Sequence, residues 1–367
     1  MPILDAGTLG YPLVKRGAIP DVIVPPETLY RPLFPEDYDQ GDPYILATPP
    51  EARSAFRYYV YTTGEDPVSG RAFPVYGSHD LVTWRRLDEA LLVGLQSSHW
   101  APCVRYLPQL DLPFVMLYSR AIGVGPEGHV RHTIRRAHAR HAEGPFVDSG
   151  HVLTGDLDFA IDPDVYRAPD GSLRLAFAMD FVADEPYGTG IVEAAIDDDL
   201  TRLIGPPRIL ARPQYDWHVF EPSRVMPWKT IPGIDWSRHS VRWHTVEAPV
   251  GGLVSPQGKR VYLYSGGCFY GFYAVGALVE EKGELRDVTG GKHDFVIGPR
   301  PEDGFYAPGH CSWLQLPDGQ DYLLFHARFG APDAKRQMAL APLHWTGDGL
   351  PTASHPLIPD NLTPSTM

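Results

Sequence analysis

Five prolines set the frame for this chain. Pro43, Pro102, Pro163, Pro249 and Pro308 stand at intervals of 59, 61, 86 and 59 residues. Each belongs to a short polar or aromatic lead: Gly41-Asp42-Pro43, Trp100-Ala101-Pro102, Ile161-Asp162-Pro163, Glu247-Ala248-Pro249 and Ala307-Pro308-Gly309-His310. An apolar, aromatic-rich segment follows each lead, as in Arg57–Tyr61, Phe114–Tyr118, Leu173–Phe177, Val261–Tyr264 and Tyr322–His326. A period near 60 with several short strands per unit is the spacing of a β-propeller blade, a sheet that buries both faces only by stacking on its neighbours. Turn signals such as Pro169-Asp170-Gly171, Pro256-Gln257-Gly258 and Pro317-Asp318-Gly319 separate the strands. The expected fold is an all-β, single-domain, five-bladed β-propeller over residues 41–351, with a lead-in segment at 1–40 and a tail at 352–367. The competing reading is two unrelated β domains whose proline spacing agrees by chance.

Composition agrees with the propeller. Gly and Pro number 36 and 38, so turns are frequent and long helices few. The one segment with helical propensity, Thr133–His141, alternates Ala137 and Ala139 with His138 and Arg140 and reads as a strand. A formal charge of −13 repels phosphate backbones, so nucleic acid is not an expected partner. No apolar run is long enough for a membrane span. Cys103, Cys268 and Cys311 form neither a paired framework nor a zinc spacing and read as reduced thiols. Met1–Pro20 has no continuous apolar stretch of the secretory kind, and the expected location is cytoplasmic.

The lengthened interval holds an insertion at about 212–245 that carries Trp217, Trp228, Trp236 and Trp243, half of the eight tryptophans. Two readings stay open. The indoles form a rim that stacks on sugar faces, or they anchor a long loop to the blade edges.

Proline keeps its neighbour extended and offers no N–H, which suits the innermost strand of a blade and brings the leads together at the axis. Three leads carry an acid: Asp42, Asp162 and Glu247. Like charges brought together raise one another's pKa, so a purely structural core does not collect them uncompensated. Glycoside hydrolysis needs such a set: one carboxylate to activate water, one acid to protonate the leaving oxygen, and a third group to keep that acid protonated. The plain alternatives are turn aspartates at Asp42 and Asp162 and a solvated strand end at Glu247, with Glu221 of Phe220-Glu221-Pro222 as a rival acid. Glu247 is preferred because Pro249 keeps the repeat's offset to the following strand. His129, His132, His138 and His141 lack the pattern of a zinc site. Gly123–Gly128 is interrupted by Pro126 and read as a turn, and Ser265-Gly266-Gly267-Cys268 has no recognisable histidine and acid partners.

With these leads the chain resembles glycoside hydrolase family 43, five-bladed propeller enzymes acting on arabinose- and xylose-containing glycans. The resemblance runs from about Gly41 to Pro351 through Gly41–Ile45, Gly77–Trp84, Trp100–Pro102, Glu143–Phe146, Ile161–Pro163, Val246–Pro249, Tyr273–Gly276 and Pro308–His310. It implies that Asp42 is the general base, Asp162 the carboxylate that tunes the acid, and Glu247 the general acid of an inverting displacement by water. It also implies that His310 approaches a cation, commonly calcium, held largely through water, that Arg336 lies beside the sugar and the acid, and that Trp100 walls the first subsite. No organic cofactor is implied. The bland counterparts are a hydrogen-bonded core histidine, a surface cation and a packing indole. The chain departs from the family pattern at Cys103, Ala248 and Cys311. The expected activity is release of terminal L-arabinofuranose or D-xylose from short plant-type oligosaccharides. The alternatives are a related propeller enzyme acting on a galactan- or agar-derived unit, a glycoside phosphorylase, and a propeller that binds glycan or protein without catalysis.

Overall fold

Short strands joined by tight turns pair with their sequence neighbours in five successive antiparallel sets. The computed structural model describes residues 33–34, 38–66, 68–93, 98–122, 131–292 and 294–353. Blade 1 holds β1 (Gly41–Ala47), β2 (Tyr58–Thr63), β3 (Glu65–Asp66), β4 (Arg71–Ser78) and β5 (Trp84–Leu92). Blade 2 holds β6 (His99–Tyr106), β7 (Phe114–Ala121), β8 (His132–Ala139) and β9 (Phe146–Val152). Blade 3 holds β10 (Ala160–Arg167), β11 (Leu173–Phe181), β12 (Gly188–Ile196) and β13 (Leu203–Ala211), after which β14 (Val219–Arg224) lies in the insertion. Blade 4 holds β15 (Val241–Val254), β16 (Arg260–Gly267), β17 (Tyr273–Glu281) and β18 (Glu284–Asp287). Blade 5 holds β19 (Phe305–Gln315), β20 (Asp321–Phe329), β21 (Gln337–Trp345) and β22 (Pro351–Ala353). The described residues contain no α-helix, only short 3-10 turns, and the segment read as a strand at 133–141 is β8.

The blades close into a ring because their faces are apolar on both sides. Five separate cores form, one at each seam: Tyr59 and Met116 between blades 1 and 2, Leu117 and Phe177 between 2 and 3, Ala178 and Tyr264 between 3 and 4, Leu263 and Phe325 between 4 and 5, and Leu324 and Val60 between 5 and 1. Each fully buried large aliphatic or aromatic side chain contributes roughly 1.5–3 kcal/mol of transfer free energy. The innermost strands β1, β6, β10, β15 and β19 pack in that order, and β19 returns to β1. At the closing seam the Ile45 N–H donates to Ser312 Oγ at 3.1 Å, and Ser312 Oγ donates to the Pro43 carbonyl at 3.0 Å.

Each innermost strand carries a bulge at the same place. The ladder to the second strand slips between Gly41 and Tyr44, Trp100 and Cys103, Ile161 and Asp164, Glu247 and Val250, and Gly309 and Ser312. Within each slip one residue is left-handed: Asp42 (φ +54°), Ala101 (+49°), Asp162 (+57°), Ala248 (+50°) and His310 (+49°). Non-glycine residues adopt this conformation at a cost of about 1–2 kcal/mol, and bulges re-aim side chains. All five of these residues, with the residue after each, line one small cavity at the propeller axis.

The bulges correct one detail of the sequence reading. In blades 1 to 4 the residue after the left-handed one is the repeated proline, but in blade 5 it is Cys311, so the structural counterpart of Pro43 is Cys311 and not Pro308. The insertion supports its anchoring reading. Met226, Ile231, Val241 and Trp243 form a small core of their own, packed by Phe220, Trp228, Ile234 and Trp236. Trp217 is buried against Tyr264 and donates from Nε1 to the Gly290 carbonyl at 3.2 Å. The lead-in and the tail lie for the most part outside the described residues, as do His129 and the glycines at 123–128.

Candidate active site

The re-aimed side chains of the bulges converge from blades 1, 3, 4 and 5. Asp42 on β1 accepts from Arg336 Nη1 at 3.0 Å and faces His310 Nδ1 at 3.1 Å. The same His310 nitrogen lies 3.9 Å from Asp162 Oδ2, and that oxygen accepts the backbone N–H of Ala248 at 3.0 Å. Glu247, the neighbour of Ala248, accepts from the Tyr273 hydroxyl at 2.7 Å. Asp42, Asp162, Glu247, His310 and Arg336 therefore form one cluster, although their residue numbers span most of the chain. Trp100 lies in register with Gly41 and Glu247 on its own blade, half-buried, its indole stacked on His132 with centroids 3.8 Å apart. Glu221 stands apart on β14, half-exposed and paired with Arg224 at 3.5 Å.

Glu247 and the two aspartates do not share one register. Asp42 and Asp162 occupy the left-handed bulge position, whereas Glu247 precedes it, in register with Gly41, Trp100, Ile161 and Gly309. The two glycines of this ring leave room for neighbours. A Cβ on Gly41 would stand 2.1 Å from the Arg336 guanidinium carbon, and one on Gly309 would stand 2.1 Å from the Tyr273 ring. Small residues at these positions let Arg336 and Tyr273 lie across the backbone and reach the acids.

Surroundings divide the acids. Burial alone pushes Asp42 up, but the cationic Arg336 and His310 outweigh it and hold the carboxyl well below its usual range. Burial raises Glu247, and the nearby Asp162 raises it further, so this side chain stays protonated well above the ordinary carboxyl range. Asp162 also moves up, chiefly through burial, with His310 drawing it back and Asp42 adding repulsion. His310 is disfavoured as a cation by burial, yet Asp42 and Asp162 overcome this and lift it to about 9. His326 moves the other way, through burial and the charge of Arg336, and accepts the Asp42 N–H at Nδ1 as a neutral ring.

Several members of this cluster stand outside the proline leads. Asp39 grips Arg336 from the side away from Asp42, accepting from Nε at 2.9 Å, while the Phe269 ring lies 5.2 Å beneath the guanidinium. His326 and Tyr273 stack with centroids 5.8 Å apart and nearly parallel planes. These residues come from second and third strands or from loops, where no proline signals the register. Tyr273 lies in one of the motif pieces, and His326 ends one of the repeated apolar segments.

The model of Glycosyl hydrolases family 43 matches residues 43–351. The chain belongs to that family. A curated relative, the extracellular exo-alpha-(1->5)-L-arabinofuranosidase ArbA of Cellvibrio japonicus (strain Ueda107), is 25% identical over 337 residues, which cover 83% of this chain and 84% of ArbA. A thermostable family-43 glycoside hydrolase of known structure superposes with a TM-score of 0.65 at 24% identity, over 86% of this chain and 93% of its own. An endo-1,4-beta-xylanase from Bacteroides thetaiotaomicron superposes with a TM-score of 0.63 at 21% identity, over 89% and 96%. Both likenesses concern the fold alone. The extracellular relative overturns the cytoplasmic expectation. That expectation rested on Met1–Pro20, which lies outside the described residues, and on three unpaired cysteines, of which Cys103 and Cys311 are buried thiols that do not report a compartment. No helix among the described residues is long and apolar enough to cross a membrane.

Proposed function

We propose that this family 43 hydrolase is an inverting, exo-acting glycosidase that releases terminal L-arabinofuranose or D-xylose from short plant-type oligosaccharides. One observation carries the reading: within one side-chain cluster, Arg336 at 3.0 Å and His310 at 3.1 Å favour an ionised Asp42, while burial and the neighbouring Asp162 favour a protonated Glu247. Single displacement uses that division directly. The Asp42 carboxylate takes a proton from water as the water oxygen bonds to the anomeric carbon. The bond to the glycosidic oxygen breaks as Glu247 gives that oxygen its proton. Asp42 ends protonated and Glu247 ionised, and exchange with solvent restores both. Asp162 keeps Glu247 protonated by its proximity, and Trp100 supplies an apolar face for the terminal ring.

A calcium ion beside His310 would meet a ring that Asp42 and Asp162 hold as a cation, with no lone pair to offer a metal. The site is compatible only with an ion that keeps its water shell between itself and the protein, with the cationic His310 outside its coordination sphere. When bound, such an ion supplies positive charge that favours ionised Asp42, as Arg336 does. The phosphorylase alternative needs free cationic side chains for phosphate, and Arg336 is already engaged by Asp39 and Asp42.

The reading is tested by following hydrolysis of aryl α-L-arabinofuranoside, β-D-xyloside and β-D-galactoside panels, with and without added phosphate. The expected outcome is turnover of the arabinofuranoside or the xyloside in water alone, with loss of turnover in Asp42→Ala. Equal rates in wild type and Asp42→Ala, cleavage of the galactoside alone, or activity only with phosphate would each overturn it.

A further inference from the structure

A bulge frees one backbone N–H from its ladder, and a buried N–H needs another acceptor. Four of the five equivalent bulges find theirs in a regular way. The Ala101 N–H donates to Thr63 Oγ1 at 2.8 Å, Asp162 to Ser119 Oγ at 3.1 Å, His310 to Ser265 Oγ at 2.8 Å, and Asp42 to His326 Nδ1 at 3.1 Å. Each acceptor lies on the second strand of the preceding blade, opposite the residue before that blade's own bulge: Thr63 faces Gly41, Ser119 faces Trp100, Ser265 faces Glu247 and His326 faces Gly309.

Blade 3 breaks the rule. The residue facing Ile161 is Ala178, which has no acceptor, and the Ala248 N–H turns to Asp162 Oδ2 instead.

We propose that Ala178 is a positioning residue: by leaving the fourth bulge without a hydroxyl acceptor, it recruits the Asp162 carboxylate as a backbone ligand and so ties that carboxylate to the main chain beside Glu247. At the other four bulges an uncharged side chain does this work and the acids are free of it. At the seam of blades 3 and 4, one carboxylate both holds the strand and faces the neighbouring acid. Its position relative to Glu247 is then set by backbone geometry and not by a side-chain rotamer. The strand-holding half stands on the hydrogen bonds alone; the catalytic half rests on the roles proposed above for Asp162 and Glu247.

The test combines thermal melting with turnover of the aryl glycoside that wild type cleaves. Asp162→Asn, which keeps an amide oxygen for the Ala248 N–H, is expected to melt near wild type. Asp162→Ala is expected to melt lower by about 2 °C or more. Adding A178S to Asp162→Ala restores at least half of that loss without restoring turnover, because the serine hydroxyl takes the place that Ser119 and Ser265 hold in their blades. A178S alone lowers kcat about fivefold with KM held, as the tether on Asp162 is shared or lost. Should serine misfit, A178T, copied from Thr63, is measured in the same pair of backgrounds, and the coupling is read from the difference between them. Equal melting of Asp162→Ala and Asp162→Asn, or no rescue by either hydroxyl, would overturn the strand-holding role. An unchanged kcat in A178S would overturn the positioning role. Full activity in an Asp162→Ala protein that melts low would remove the proposed tuning role and leave the strand-holding role standing.

Discussion

The seam between blades 5 and 1 and the seam between blades 3 and 4 bring their acids into one side-chain cluster and treat them in opposite ways. At the first seam Asp42 meets Arg336, His310 and the neutral ring of His326. At the second, Glu247 meets Asp162 and the hydroxyl of Tyr273. Burial raises both carboxyls, so burial does not decide which one ionises. The neighbours decide, and they reach their places because Gly41 and Gly309 leave space for Arg336 and Tyr273. Two similar side chains thus acquire opposite proton affinities from the seams that hold them.

The largest effects should come from removing the two acids. Asp42→Ala is expected to lower kcat/KM roughly 100- to 10,000-fold on every cleaved substrate, because the attacking water loses its proton acceptor. Glu247→Gln should approach that loss on natural leaving groups and lose far less on a nitrophenyl leaving group, which departs without a proton. Steady-state rates on paired substrates read the contrast; a leaving-group effect in Asp42→Ala and none in Glu247→Gln would reverse the assignments. Arg336→Met comes next. It removes the strongest charge acting on Asp42, so kcat/KM should fall roughly tenfold to a hundredfold, the scale of a charge-assisted hydrogen bond, and the acidic limb of the pH profile should move up. The sign follows from the charge: without the guanidinium the ionised form of Asp42 is less favoured. A downward shift, or none, would mean that Arg336 does not act on Asp42. Tyr273→Phe should have the smallest effect, about fivefold or less. Its hydroxyl stabilises ionised Glu247, so its loss should move the basic limb to higher pH.

The architecture was legible because prolines mark four of the five bulges, and the bulges are what the axis requires. Blade 5 was misplaced by three residues since Cys311 stands where the others have proline, and Pro308 offered a nearby substitute. That the three acids and His310 cluster was legible because the leads carry them, whereas Arg336 entered only through the family resemblance. Asp39 and the functional neighbourhood of His326 and Tyr273 were not legible, since side chains reaching in from second strands, third strands and loops leave no periodic trace. The four tryptophans of the insertion were ambiguous for a physical reason: an indole serves equally as an anchor or as a sugar platform, and only burial separates the two. Trp217 and Trp243 are buried.

The most direct test of the division between the two seams is the pH dependence of kcat/KM on an unsubstituted phenyl glycoside, whose leaving oxygen still draws on the acid, for wild type and Glu247→Gln. Rate rises as pH climbs through the pKa of the base and falls as it climbs through that of the acid. Wild type should therefore show an acidic limb below the usual carboxylate range and a basic limb above it. In Glu247→Gln the basic limb should vanish and the acidic limb stay in place. Loss of the acidic limb with the basic limb intact would contradict the account, because Glu247 would then be the ionised partner.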